Sequence, residues 1–248
     1  METLKLGPLE VRRVVTPLAT DRNNEDNPDP RPPLVVVLCH GFGAPGDDLV
    51  GLASGIDAPP GTVMLFPEAL HGLRDLTGQP MFGDARAWWM IDFARLERAI
   101  ATGELRDLSG DVPEGLDDAR AALDAMLDEL ARTQPLGRLV LGGFSQGSML
   151  SLDLALRRPE RELAGLVLLS GTMIAEREWS PRMPARKGLR VFQSHGRSDP
   201  ILPFSIAERL RDALTAAGLE LTFDPFAGPH TITPQNLERL SRWLHALP

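Results

Sequence analysis

Short, unbroken apolar runs recur along the chain, separated by segments whose apolar positions fall three and four residues apart. The runs at Leu34–Cys39, 62–66, 138–141, 163–169 and 189–193 are continuous rather than alternating, the pattern of strands covered on both faces. A run at 220–224 reads as half-buried, and Leu9–Val15 forms a further strand in a hairpin with the next one, Leu34–Cys39. Between the runs, Ala119, Leu123, Met126, Leu127 and Leu130 share one helical face, and Ile206, Leu210, Leu214 and Ala217 share another. The second of these helices opens with a capping box from Ser205 and Glu208 and closes at Gly218. In the last helix Thr233 is the cap, Pro234 suits the first turn, and Leu237, Leu240, Leu244 and Leu247 form the inner stripe. Strands alternating with helices predict an α/β fold: a mostly parallel central sheet with helices on both faces and ligands at the carboxyl ends of its strands.

Two stretches stand outside this alternation. Residues 21–33, DRNNEDNPDPRPP, hold four prolines among Asp and Asn and are read as a surface loop. Residues 71–113 form a long excursion with adjacent tryptophans, Trp88 and Trp89, and a short helix at 93–101. Such an excursion is either a substrate-covering element or a structural insertion. No repeat divides the 248 residues, so 1–248 is read as one α/β domain carrying that excursion.

Composition narrows the function classes. With 26 Lys plus Arg against 34 Asp plus Glu, the net charge of −8 opposes a general role on nucleic acid or anionic membranes. The chain shows neither a leader pattern nor an apolar run long enough to span a bilayer, so the expected location is cytoplasmic, without stable membrane insertion. The single cysteine, Cys39, ends an apolar run and is read as a small buried hydrophobe. Metal-ligand and phosphate-loop spacings are missing, and no cofactor is expected.

The strongest chemical signal is Gly143-Phe144-Ser145-Gln146-Gly147, between the strand at 138–141 and a helical segment at 148–158. A serine between strand and helix sits on a strained turn, and glycines two residues to either side let backbones pass closely. Its hydroxyl then lies at a helix amino terminus, where developing negative charge is favoured. A serine nucleophile needs a base held by a carboxylate, and in α/β hydrolases these follow in the order acid, then histidine. His195, His230 and His245 qualify by order. His195 precedes the best acid and His245 lies within the last helix, so His230, in the loop Gly228-Pro229-His230-Thr231, is selected as base. Asp199 and Asp224 compete as the acid. Asp199 lies in the loop leaving a strand and is preferred, whereas Asp224 with Pro225 reads as a turn. An oxyanion requires two backbone donors, assigned to the amides of Gln146 and Phe42, the latter in His40-Gly41-Phe42-Gly43. His40 precedes the serine and is read as fixing that loop.

These motifs resemble the carboxylesterase and phospholipase family of α/β hydrolases, which includes acyl-protein thioesterases and lysophospholipases. The resemblance rests on Cys39-His40-Gly41-Phe42-Gly43, on Gly142 to Gly147, on His195-Gly196-Arg197-Ser198-Asp199 with Ile201-Leu202-Pro203, and on Pro229-His230; it runs from about Leu34 to the C-terminus. It implies an α/β-hydrolase fold and acyl transfer from an ester or thioester of a small-molecule or acylated substrate. Ala87 to Asp92 is similar to a family segment bordering the acyl site, which makes Trp88 and Trp89 candidate substrate-binding residues, although large aromatics more often belong to cores. Ser148 and Pro229 stand where the family commonly has glycine. A non-catalytic ligand-binding module on the same scaffold is the competing reading, disfavoured because Ser145, Asp199 and His230 are all present.

Overall fold

Alternate residues of the buried runs part to opposite faces of one eight-stranded sheet. In the structure, a computed structural model, residues 1–17 and 32–248 are described. The strands are β1 (Glu2–Leu6), β2 (Leu9–Val15), β3 (Leu34–Cys39), β4 (Val63–Pro67), β5 (Arg138–Phe144), β6 (Gly165–Leu169), β7 (Arg190–Gly196) and β8 (Glu220–Phe226), in the spatial order β1-β2-β4-β3-β5-β6-β7-β8. From β4 to β8 every neighbouring pair is parallel. Val35 and Val37 face one core while Leu34, Val36 and Leu38 face the other, as the period of two in a strand requires.

Helices cover both faces. The first core is closed by α2 (Leu116–Thr133), α3 (Gln146–Arg157) and α4 (Phe204–Ala216), through Leu123, Leu150 and Leu210 among others. The second is closed by α5 (Pro234–His245), with Leu240 and Leu244 inward, and by Leu49 and Ile56. The helix preceding these, α1 (Phe93–Thr102), lies in the excursion and buries only Ala99. The α/β architecture expected from the alternation is therefore present. No helix among the described residues is long and apolar enough to cross a membrane.

Three local expectations are corrected. Strand β2 does not pair with Leu34–Cys39. Both edges of β3 are taken by β4 and β5, and β2 instead makes a hairpin with β1 and runs antiparallel to β4. Strand β1 gave little signal because an edge strand with only Leu6 buried needs no apolar run. The Ser205–Glu208 capping box does not form: Pro203, at φ −58° and ψ 134°, sets the entry angle, and Ser205 already lies inside the helix. Pro225 does not turn the chain after Asp224 but continues β8 opposite His195, which an edge strand tolerates. The loop at 21–33 lies outside the described residues except for Pro32 and Pro33.

Candidate active site

The carboxyl ends of β3, β5, β7 and β8 lie along one rim of the sheet, and the loops leaving them hold the residues singled out by sequence. At the end of β5 the chain reverses into α3 through Ser145, whose φ of 53° and ψ of −116° are costly for a residue with a Cβ. The glycines around it are imposed by a crossing backbone. A Cβ on Gly143 would lie 2.3 Å from the Cys39 carbonyl oxygen, and one on Gly147 only 2.1 Å from the same atom. The strained turn is fastened on both sides: Ser145 N–H donates to the Leu169 carbonyl at 2.8 Å, and Ser148 Oγ–H donates back to the Ser145 carbonyl at 2.8 Å. Ser148 thus supplies an anchor where the family commonly has glycine, and its hydroxyl packs against Gly171, where a Cβ would meet it at 2.2 Å.

Asp199, in the loop after β7, is buried and saturated with donors. Its Oδ1 accepts the amides of Ile201 and Leu202, each at 2.8 Å. Its Oδ2 accepts Nδ1–H of His230 at 2.6 Å and faces Nε2 of His195 at 3.3 Å. Burial opposes ionisation of this carboxyl, but the hydrogen bonds from His195, His230 and Leu202 and the charge of His230 outweigh it and hold the group well below the usual carboxylate range. The acid and base loops touch through backbone: a Cβ on Gly196 would lie 2.2 Å from the Pro229 carbonyl, and Ser198 N–H donates to Gly228 O at 3.1 Å. The His230 ring packs on Phe144 at 4.8 Å between centroids, beside Ser145. No hydrogen bond joins Ser145 Oγ to that ring.

The competing residues fall elsewhere. Asp224 is buried against α5, where Asn236 Nδ2–H donates to it at 2.7 Å and Arg239 pairs with it. His245 is half-exposed on α5, 3.7 Å from Asp57. His195 is fully buried, its Nε2–H aimed at the Leu202 carbonyl (2.8 Å) and at Asp199, so it braces the acid loop from beneath. Sequence reasoning set His195 aside because it precedes the acid, and the short spacing to Asp199 was the only signal of a contact. His40 fixes its loop: Nδ1–H donates to Gly41 O at 2.8 Å and Nε2 accepts from Ala69 N–H at 3.1 Å. That pair of partners demands the neutral ring, in line with a burial-lowered pKa. Cys39 is buried and its thiol is pushed up to about 12, chiefly by desolvation, which leaves it unreactive.

The two amides proposed from sequence as oxyanion donors, those of Phe42 and Gln146, engage no backbone acceptor among the described residues. The Gln146 side chain does something sequence reasoning missed. Its Oε1 accepts Trp88 N–H at 2.9 Å and its Nε2–H donates to Trp89 O at 2.8 Å. Trp88 is fully buried and donates its indole N–H to the His40 carbonyl at 3.0 Å. It therefore does not face substrate, which corrects the expectation for that residue: it ties the excursion to the loop that carries Phe42. Trp89 does line a cleft of about 360 Å³ beside Ser145, with Phe42, Met149, Ile174 and Leu202. Residues of the excursion between 89 and 113 supply part of the lining of this cleft.

Residues 26–247 match the family model described as Phospholipase/Carboxylesterase. The chain is 32% identical over 150 residues to acyl-protein thioesterase 1 of Cryptococcus neoformans var. neoformans serotype D, covering 52% of this chain and 63% of that protein. It is 30% identical over 184 residues to acyl-protein thioesterase 1 of Eremothecium gossypii, covering 73% of this chain and 72% of the relative. The match thus spans a little under two thirds of the first relative's length. Among solved structures, esterase PE8 superimposes with a TM-score of 0.71 at 25% identity, over 96% of this chain and 99% of that one.

Proposed function

The chain belongs to the phospholipase/carboxylesterase family, and from that premise we propose that it is a serine hydrolase cleaving carboxylic esters or acyl thioesters through an acyl-enzyme. Ser145 is the nucleophile, His230 the general base and Asp199 the acid, within one hydrolase domain whose excursion walls the acyl cleft. The observation that carries this reading is the 2.6 Å bond from His230 Nδ1–H to Asp199, made by a ring packed against Phe144, immediately before the strained serine.

With Nδ1 committed to Asp199, His230 Nε2 is left to take the Ser145 proton as Oγ attacks the acyl carbon. Negative charge moves to the carbonyl oxygen, where the amides of Phe42 and Gln146 receive it, each such donor being worth about 3 kcal/mol of barrier. Collapse expels the alcohol or thiol, which takes the proton from His230. Water then attacks the acyl group and gives a proton to the same nitrogen, and collapse passes that proton from His230 to the departing Ser145 Oγ, releasing the carboxylic acid and free Ser145. The Ser145–His230 contact closes in the substrate complex, because hydrogen bonds between reacting groups tighten when the site is filled.

A fluorophosphonate probe is expected to label the folded wild type on Ser145, and Ser145→Ala to lose both labelling and hydrolysis of 4-nitrophenyl butyrate. Wild-type rates in the variant, or no labelling of the folded protein, would overturn the reading in favour of a binding module.

A further inference from the structure

Among the described residues three arginines are more than nine-tenths buried, and two of them are used up by the fold. Arg186 donates to the carbonyls of Ala155, Arg158 and Arg161 at 2.6 to 2.9 Å, closing the end of α3. Arg138 donates to the carbonyls of Pro32, Leu247 and Pro248. Arg106 is different. It is 7% exposed, and only its Nη1 has a partner, the Ile201 carbonyl at 3.2 Å; Nε is buried without an acceptor, and Nη2 has none among the described residues. Among the described residues no carboxylate makes a contact ion pair with it, although Asp111 and Asp92 attract it at longer range. Arg106 also lines the cleft beside Ser145, as do Trp89, Asp92 and Asp111, and it touches the loop that carries Asp199 through Ile201.

The neighbouring charges do not satisfy it. Arg95 takes Asp111 as its ion partner and donates to the Asp107 carbonyl at 2.5 Å, while Asp92 accepts the Arg95 amide at 2.9 Å to cap α1. The wall of the cleft therefore holds Arg95 paired with Asp111, and Arg106, which Asp111 and Asp92 attract without touching it. A guanidinium removed from water without an anion is costly to keep, and its planar fork fits a carboxylate or phosphate. It remains charged at any pH the protein survives, so it cannot escape that cost by losing its proton.

We propose that Arg106 is a specificity-determining residue that receives an anionic oxygen group, carboxylate or phosphate, on the part of the substrate filling the cleft. This rests on the hydrolase reading above and narrows it: the preferred substrates are anionic esters or thioesters rather than purely apolar ones. Cleft size agrees, since about 360 Å³ suits a short chain with a polar end. The overall charge of −8 would repel such a substrate, which gives a local buried cation its value.

The test compares mono-4-nitrophenyl succinate with 4-nitrophenyl butyrate, esters of equal acyl length that differ in a terminal carboxylate. The ratio of their kcat/KM values is expected to fall about tenfold or more from wild type to Arg106→Met, with Arg106→Lys between them. Because the ratio is internal to each protein, partial loss of folded enzyme does not move it. Binding is read separately by calorimetry on Ser145→Ala: succinate or glycerol phosphate is expected to bind about tenfold tighter than neutral butyramide, and whichever is tighter names the source of the anion. An unchanged ester ratio in Arg106→Met, or equal binding of butyramide and both anions, would overturn the proposal. If Ser145→Ala instead kept wild-type hydrolysis, the hydrolase reading would fail while the calorimetry still decided whether an anion site exists.

Discussion

Asp199 collects two amides and two imidazoles on one carboxylate, whereas Asp224, equally buried, is tied to Asn236 and Arg239 on the far side of its strand. The two aspartates should therefore separate cleanly. Asp199→Asn is expected to lower kcat by about three to four orders of magnitude, because the amide leaves the imidazolium uncompensated and disturbs its tautomer. Asp224→Asn should change kcat by no more than about a few-fold and act on stability instead; the reverse ranking would reassign the acid. The depressed ionisation of Asp199 has a thermodynamic side too. Its stabilisation is complete above the carboxyl range of the unfolded chain and is lost as pH falls through the lower folded value. The stability gap between wild type and Asp199→Asn, from urea titrations, should hold from about pH 7 to about pH 5 and shrink below about pH 4. A gap that widened on acidification would contradict the assignment.

The turn between β5 and α3 shows why some of this molecule was readable without coordinates. Gly143 and Gly147 are required by the Cys39 carbonyl, a backbone atom that no side-chain rearrangement can move aside. Gly147→Ala should cost about 3 kcal/mol or more in urea unfolding, or leave little folded protein, whereas Gly110→Ala, with open space around it, should stay within about 0.5 kcal/mol. A necessity imposed by backbone on backbone is written into residue type and spacing, so the serine turn, the glycine of the acid loop and the apolar strands beneath them were visible in the amino-acid sequence. The interior side of Trp88 was not, because it is fixed by a Gln146 side chain more than fifty residues away. Nor was the partner of β2, since a half-buried strand pairs wherever an edge is free. Arg106 left no trace either: a missing counter-charge is a property of surroundings, and its surroundings come from the least regular part of the chain.

Across the whole molecule, the helices on the first face are joined by a buried ionic node. Asp153 on α3 is fully buried and accepts from Arg120 of α2 at 2.8 Å, from Arg157 at 3.0 Å and from the Trp179 indole at 2.8 Å. Asp153→Ala strands the Trp179 indole N–H and leaves Arg120 to Asp117 and Arg157 to Glu178, and a loss of about 1 to 3 kcal/mol in urea unfolding is expected; a loss under about 0.5 kcal/mol would show that water replaces the carboxylate without penalty. That node lies away from the rim, so stability and chemistry are anchored at different places in the same helix. The rim has its own tie in Gln146, whose backbone follows the serine while its amide group grips the main chain at 88 and 89. Downstream of that staple, residues at both ends of the stretch from Met90 to Pro113 contribute wall, and none belongs to the proposed triad. An insert held in this manner is modular: on the proposed hydrolase reading, evolution or an engineer can lengthen, shorten or recolour it to trade one acyl preference for another while Ser145, His230 and Asp199 keep their alignment.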